Sequence, residues 1–146
     1  MIRFSEEQLQ IIYDRALSTY PQECCGIIVG VHNSVVEVIP TENVWANFVE
    51  TFPETSLHGE TERYAIAPFE MLRVQKQARD RHLEIIGIFH SHPDHPAIPS
   101  ECDRLYAWQE YSYVIISIQK GVLGELTSWR LDEHHQFQPE EIEKIV

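Results

Sequence analysis

The sequence predicts an α/β fold, a single domain over residues 1–146 in which helices sandwich a mixed β-sheet. Three observations predict it. The short runs CCGIIVG, EIIGIFHSH and YVIISIQ are apolar and rich in β-branched residues, which reads as buried strands. Between them stand segments with apolar residues at helical spacing. No repeat, linker or low-complexity stretch interrupts the alternation, and a 43% hydrophobic chain of 146 residues can build one core.

The elements follow in order. Ser5-Glu6-Glu7-Gln8 has the S-x-x-Q form of a capping box, and Leu9, Ile12, Ala16 and Leu17 recur at helical spacing until Pro21, so residues 5 to 19 read as a helix. CCGIIVG and VVEVIP read as two strands around the turn HNS; the first is apolar on both faces, which marks a central strand. Residues 41 to 63 hold Asn43, Asn47, Pro53, His58 and Gly59 without a sustained period, and short strand pieces with a mobile loop are expected there. PFEMLRVQKQARDRH reads as a second helix, with Pro68 at its first position and Arg79 and Arg81 near its negative end. EIIGIFHSH is a further buried strand, SECDRLYAWQEY a third helix, and YVIISIQ with GELTSWRL a strand pair. The last residues add a strand or a short helix.

Composition narrows the partners. With 11 basic against 23 acidic residues, a formal charge of -12, the chain lacks the cationic surface that nucleic acid or an anionic membrane requires. Three cysteines, two of them adjacent, make no disulfide framework, which points to a reducing compartment. MIRFSEEQLQ has no basic and then apolar leader, and no run approaches about 18 apolar residues, so a soluble cytoplasmic protein is expected.

The chemistry concentrates in FHSHPDHPAIPSECD, which has two metal readings and one without metal. The first takes His90, His92, Asp94 and His95 as H-x-H-x-D-H. The second takes His90 and His92 with Ser100 and Asp103. In a strand, residues two apart share a face at about 6 to 7 Å, so His90 and His92 can converge on one ion while Ser91 faces away. Pro93 removes the next backbone donor and ends the strand. Without metal, the histidines are satisfied core or surface residues, and Ser100-x-x-Asp103 is only a helix cap worth about 1 kcal/mol. With it, Asp103 projects from the first helical turn toward the strand. Two histidines and an aspartate leave a tetrahedral zinc one open position, where a water can ionise near pH 7. Such a site also needs a carboxylate base on a rigid neighbour. Glu23, at the mouth of CCGIIVG, fits, with Glu84, Asp94 and Glu101 as rivals.

His90-Ser91-His92, seven residues, then Ser100-x-x-Asp103, with an upstream Glu and a Pro after the second His, resembles the motif of the JAMM (MPN+) zinc metalloprotease family. ECCGIIVG is similar to the family's first strand, ERYAIAPFE to the lead into its central helix, and IIGIFHSHP to its metal strand. The resemblance implies the JAMM/MPN, cytidine deaminase-like fold. It implies one Zn2+ per chain held by His90, His92 and Asp103, Glu23 as general base and acid, and Ser100 as a donor to the tetrahedral intermediate. It implies hydrolysis of a peptide or isopeptide bond after the tail of a ubiquitin-like protein. For so compact a member, the expected substrate is a sulfur-carrier protein ending in Gly-Gly rather than polyubiquitin, and a homodimer is one allowed assembly. The competing readings are a non-catalytic MPN scaffold and a hydrolase of the metallo-β-lactamase kind. The second needs ligands well beyond His95, where only His134 and His135 remain. Cys24, Cys25 and Cys102 are read as packing residues, and Trp45, Trp108 and Trp129 as core or interface. His32, His58, His82, His134 and His135 are read as surface residues.

Overall fold

The computed structural model describes residues 1–45 and 63–146. Its strands are β1 (Ile2–Ser5), β2 (Cys25–Val31), β3 (Ser34–Thr41), β4 (Glu84–Pro93), β5 (Ser112–Gln119), β6 (Val122–Leu131), β7 (Phe137–Glu140) and β8 (Ile142–Ile145), and its helices are α1 (Glu6–Thr19), α2 (Pro68–Asp80) and α3 (Glu101–Leu105). They form one mixed sheet in the order β7-β6-β5-β4-β2-β3-β1-β8. Only Glu141 separates β7 from β8, yet one pairs with β6 and the other with β1. One bent strand therefore serves both edges, and the sheet curls around α1.

Each face of the sheet buries one helix. Leu9, Ile12 and Ala16 of α1 pack with Phe4, Ile28, Phe89, Val114 and Ile116 on the inner face. Val74 and Ala78 of α2 pack with Ile27, Val29, Ile88 and Tyr113 on the outer face. β2 contributes to both sets, as its two-sided apolar pattern predicts, and lies between β3 and β4. α1 starts as predicted, with Ser5 and Gln8 exchanging both bonds of a capping box.

Two details differ from the sequence reading. β1 is a strand where only a helix start was expected; it pairs in parallel with β8, a partner some 140 residues away. α3 ends at Leu105 rather than Tyr111, because the Trp108 amide donates to the Tyr113 hydroxyl at 2.7 Å instead of continuing the helical ladder. The chain end forms strands, the first of the two alternatives expected there. The irregular segment expected over 41 to 63 falls mostly on residues 46–62, outside the described residues.

Candidate metal centre

The site sits where β2 begins and β4 ends. These strands run antiparallel with Cys25 opposite His90, and the pairing continues as the Ser91 amide donates to the Cys24 carbonyl at 3.1 Å. One more step brings Glu23 opposite His92. Alternation then assigns Glu23, His90 and His92 to one face, and Cys24 and Ser91 to the other. Ser91 does structural work there: its hydroxyl accepts the Cys24 amide at 2.8 Å and ties the Glu23 segment to the histidine strand.

His90 and His92 converge as the spacing predicts. Their Nε2 atoms lie 3.1 Å apart, and Asp103 Oδ2 is 3.3 Å from the first and 3.1 Å from the second. These three form the one group among the described residues whose ligand atoms could hold a metal ion. The donor set fits zinc. A tetrahedron with its corners roughly 2.0 Å from the centre has edges of about 3.3 Å, and the observed triangle is one such face. His92 Nδ1 lies 2.9 Å from the Pro96 carbonyl, which can only accept, so the proton sits on Nδ1 and Nε2 keeps its lone pair for a cation.

His90 is fully buried. Tyr64 stacks on its ring with centroids 4.4 Å apart, while its Nδ1 has no hydrogen-bond partner among the described residues. Burial lowers the His90 pKa, against the opposing pull of Asp103, and keeps the imidazole neutral. Burial works against the charged form of Asp103 as well, but the charges and hydrogen bonds of His90 and His92 outweigh it and hold this carboxyl well below the usual carboxylate range.

α3 aims the aspartate. Ser100 is its N-cap, its Oγ accepting the Asp103 amide at 3.0 Å while Asp103 Oδ2 accepts the Ser100 amide at 2.9 Å. The cap and the approach to the histidines are one arrangement, because the same Oδ2 serves both. The Ser100 hydroxyl proton is left to donate outward. Glu23, only 4% exposed, lines a cavity of about 340 Å³ with His92, His95, Pro96 and Ser100. Asn43 fixes its backbone by donating to the Glu23 and Arg63 carbonyls at 3.1 and 3.0 Å, while its own oxygen accepts the Trp45 and Ala65 amides.

The rivals to Glu23 lie elsewhere. Glu84 is exposed at the far end of β4, and Glu101 pairs with Arg104 in solvent. Asp94, in a left-handed turn, accepts the Tyr20 hydroxyl and the Lys120 amide. Asp94 and His95 are thus outside the ligand triangle, and the dense H-x-H-x-D-H set does not assemble. Cys24 and Cys25 are buried, their thiols pushed up to about 11 and about 12 by burial. His32, His82, His134 and His135 are exposed, while His58 lies outside the described residues. Trp45 is buried and Trp129 half-buried, but Trp108 is 65% exposed. Sequence reasoning gave no role to Asn43, Tyr64 or Pro96. Each acts through a contact between segments distant in the chain or across a turn, which leaves no periodic trace.

Residues 5–132 match the family described as prokaryotic homologs of the JAB domain. The chain is 28% identical over 123 residues to the desampylase of Pyrococcus furiosus, covering 84% of this chain and 76% of that protein. A Desulfitobacterium hafniense protein solved in solution superposes with a TM-score of 0.79 at 26% identity, covering 99% of this chain and 93% of that one. A JAB1/MPN domain protein from Archaeoglobus fulgidus, 16% identical, shares the fold over 100% of both chains with a TM-score of 0.61.

Proposed function

The chain belongs to the prokaryotic homologs of the JAB domain, and from that premise we propose that it is a zinc-dependent isopeptidase. It cleaves the peptide or isopeptide bond after the C-terminal tail of a ubiquitin-like protein. The observation that carries this reading is the triangle of His90, His92 and Asp103 with Glu23 and Ser100 beside it in one cavity. The similarity to the desampylases of Pyrococcus furiosus and Haloferax volcanii supports a hydrolase of this kind. The modifier is a sulfur-carrier protein ending in Gly-Gly, and residues 1–146 act as one catalytic domain.

His90, His92 and Asp103 hold the ion, in the triangular arrangement described above. Zinc so held supplies Lewis acidity, which makes water acidic enough to ionise near neutral pH and polarises a carbonyl. Glu23 takes a proton from the attacking water on a carboxylate oxygen and returns it to the leaving nitrogen, so one buried group serves as base and then acid. Ser100 points its hydroxyl proton at the oxyanion of the substrate carbonyl. The Pro96 carbonyl fixes the His92 tautomer, and the Tyr64 ring excludes water from one face of His90. We assign the reaction to the cytoplasm, where the free thiols of Cys24, Cys25 and Cys102 stay reduced. No helix among the described residues is long and apolar enough to cross a membrane.

The test is mass spectrometry of sulfur-carrier proteins extended beyond their Gly-Gly end. Incubation with the zinc-loaded protein releases the extension, chelation stops the release, and added zinc restores it. Intact adducts after incubation with the loaded protein overturn the reading.

A further inference from the structure

A second recess, of about 260 Å³, opens beside the same ligand triangle, and the hydrolytic steps above leave it without a task. Asp103 and Tyr64, which stacks on His90, belong to its wall. Met71 and the buried Ile88 make it apolar, and Tyr106 and Trp108 stand at its solvent side, 41% and 65% exposed.

Both side chains stand at the recess wall rather than in the buried core. They lie where the chain leaves α3 early, and the Tyr113 hydroxyl pins the backbone there by accepting the Trp108 amide. A tryptophan on a fixed backbone offers a large apolar surface to a ligand at little cost in ordering. Its position beside the reaction centre makes the ligand part of the substrate.

The two recesses divide the substrate. Glu23, Ser100 and His92 line the first, and the leaving nitrogen must lie there to collect its proton from Glu23. The acyl half therefore extends across Asp103 into the apolar recess. Two terminal glycines have no side chain to fill it, so its occupant comes from a residue ahead of them. That side chain is apolar rather than cationic, because Asp103 Oδ2 is already engaged by the Ser100 amide and both histidines. We infer that the recess between Tyr64, Met71 and Trp108 is a specificity subsite for a large apolar side chain that precedes the Gly-Gly end of the modifier. This inference rests on the isopeptidase reading for the orientation of the substrate.

Binding and turnover are measured separately. The binding probes are short peptides ending in X-Gly-Gly with a free carboxylate, X being Leu, Phe, Ala or Asp, titrated by calorimetry into the zinc-loaded protein. The Leu and Phe peptides bind roughly 10-fold or more tightly than the Ala and Asp peptides. Trp108→Ala erases that preference and Trp108→Phe retains it, both with wild-type zinc content. Equal or undetectable binding of all four peptides overturns the subsite, as does a preference that survives Trp108→Ala. The same peptides carrying a fluorogenic amine test the reaction. A binding preference without turnover sinks the hydrolase reading and leaves the subsite standing, whereas turnover without a preference does the reverse.

Discussion

The His92 imidazole donates from Nδ1 to the Pro96 carbonyl across 2.9 Å, four residues along the same turn. That bond commits the imidazole lone pair to Nε2, 3.1 Å from Asp103 Oδ2, where it can face a cation. The purified protein is therefore expected to carry about one zinc per chain by elemental analysis. Asp103→Ala removes a ligand and the N-cap partner of Ser100 together, so chelator competition should reveal a fall in affinity of at least about 100-fold. Loss of the bond from the Ser100 amide should lower stability by roughly 1 kcal/mol in the zinc-free form, read by urea unfolding. A variant that keeps wild-type affinity would remove Asp103 from the ligand set.

Glu23→Gln keeps the size and burial of the side chain but cannot accept the proton. Zinc content and fold should persist while kcat falls by about 10² to 10⁴. Ser100→Ala should cost about 10² to 10³ in kcat if its hydroxyl meets the oxyanion, and only its cap energy, with kcat preserved, if it does not. Steady-state kinetics beside zinc analysis separates these outcomes, and wild-type turnover in Glu23→Gln would move the base elsewhere.

Much of this site was legible because its rules are local. The two-residue period of a strand brings His90 and His92 together, and the S-x-x-D cap aims Asp103; both depend on neighbours in the chain. Glu23 needed the pairing of β2 with β4, which periodicity suggests but does not align. Asn43 and Tyr64 act through contacts between distant segments and left no pattern. The early end of α3 has the same origin: the sequence through Tyr111 suits a helix, and a hydroxyl from β5 captures the Trp108 amide. β1 was hidden because four residues carry too little period, and its pairing partner is at the other end of the chain.

Burial lowers the His90 pKa from its ordinary 6.5, so the folded zinc-free protein holds that ring neutral where the unfolded chain would protonate it. The unfolded state then binds more protons below pH 6.5, and stability must fall as pH drops through that value toward the folded pKa, levelling off below it. Thermal melts of the chelated protein from pH 8 to 5 should show a declining midpoint, and His90→Gln should flatten the decline. Protons also compete for Nε2, so zinc retention should weaken over the same window. A flat profile in the wild-type zinc-free protein would show that His90 is not buried as a neutral ring.

Asp94, outside the ligand triangle, joins three segments that frame the site. Its carboxylate accepts the Tyr20 hydroxyl at 2.8 and 2.9 Å and the Lys120 amide at 2.8 Å, and its own amide donates to the Ile118 carbonyl. Tyr20 lies three residues before Glu23 and Asp94 two residues after His92, so the contact sets Glu23 against the histidine strand from the solvent side. These bonds are exposed, and their loss should leave zinc affinity unchanged. Misplacing the base by a fraction of an ångström is nonetheless costly, because proton transfer needs hydrogen-bond distance. Tyr20→Phe is therefore expected to lower kcat several-fold, on the order of 3 to 10, with KM and zinc content near wild type. Asp94→Asn, which still accepts both bonds through its amide oxygen, should keep most of the wild-type rate. Equal kcat in Tyr20→Phe and wild type would reduce the contact to surface decoration.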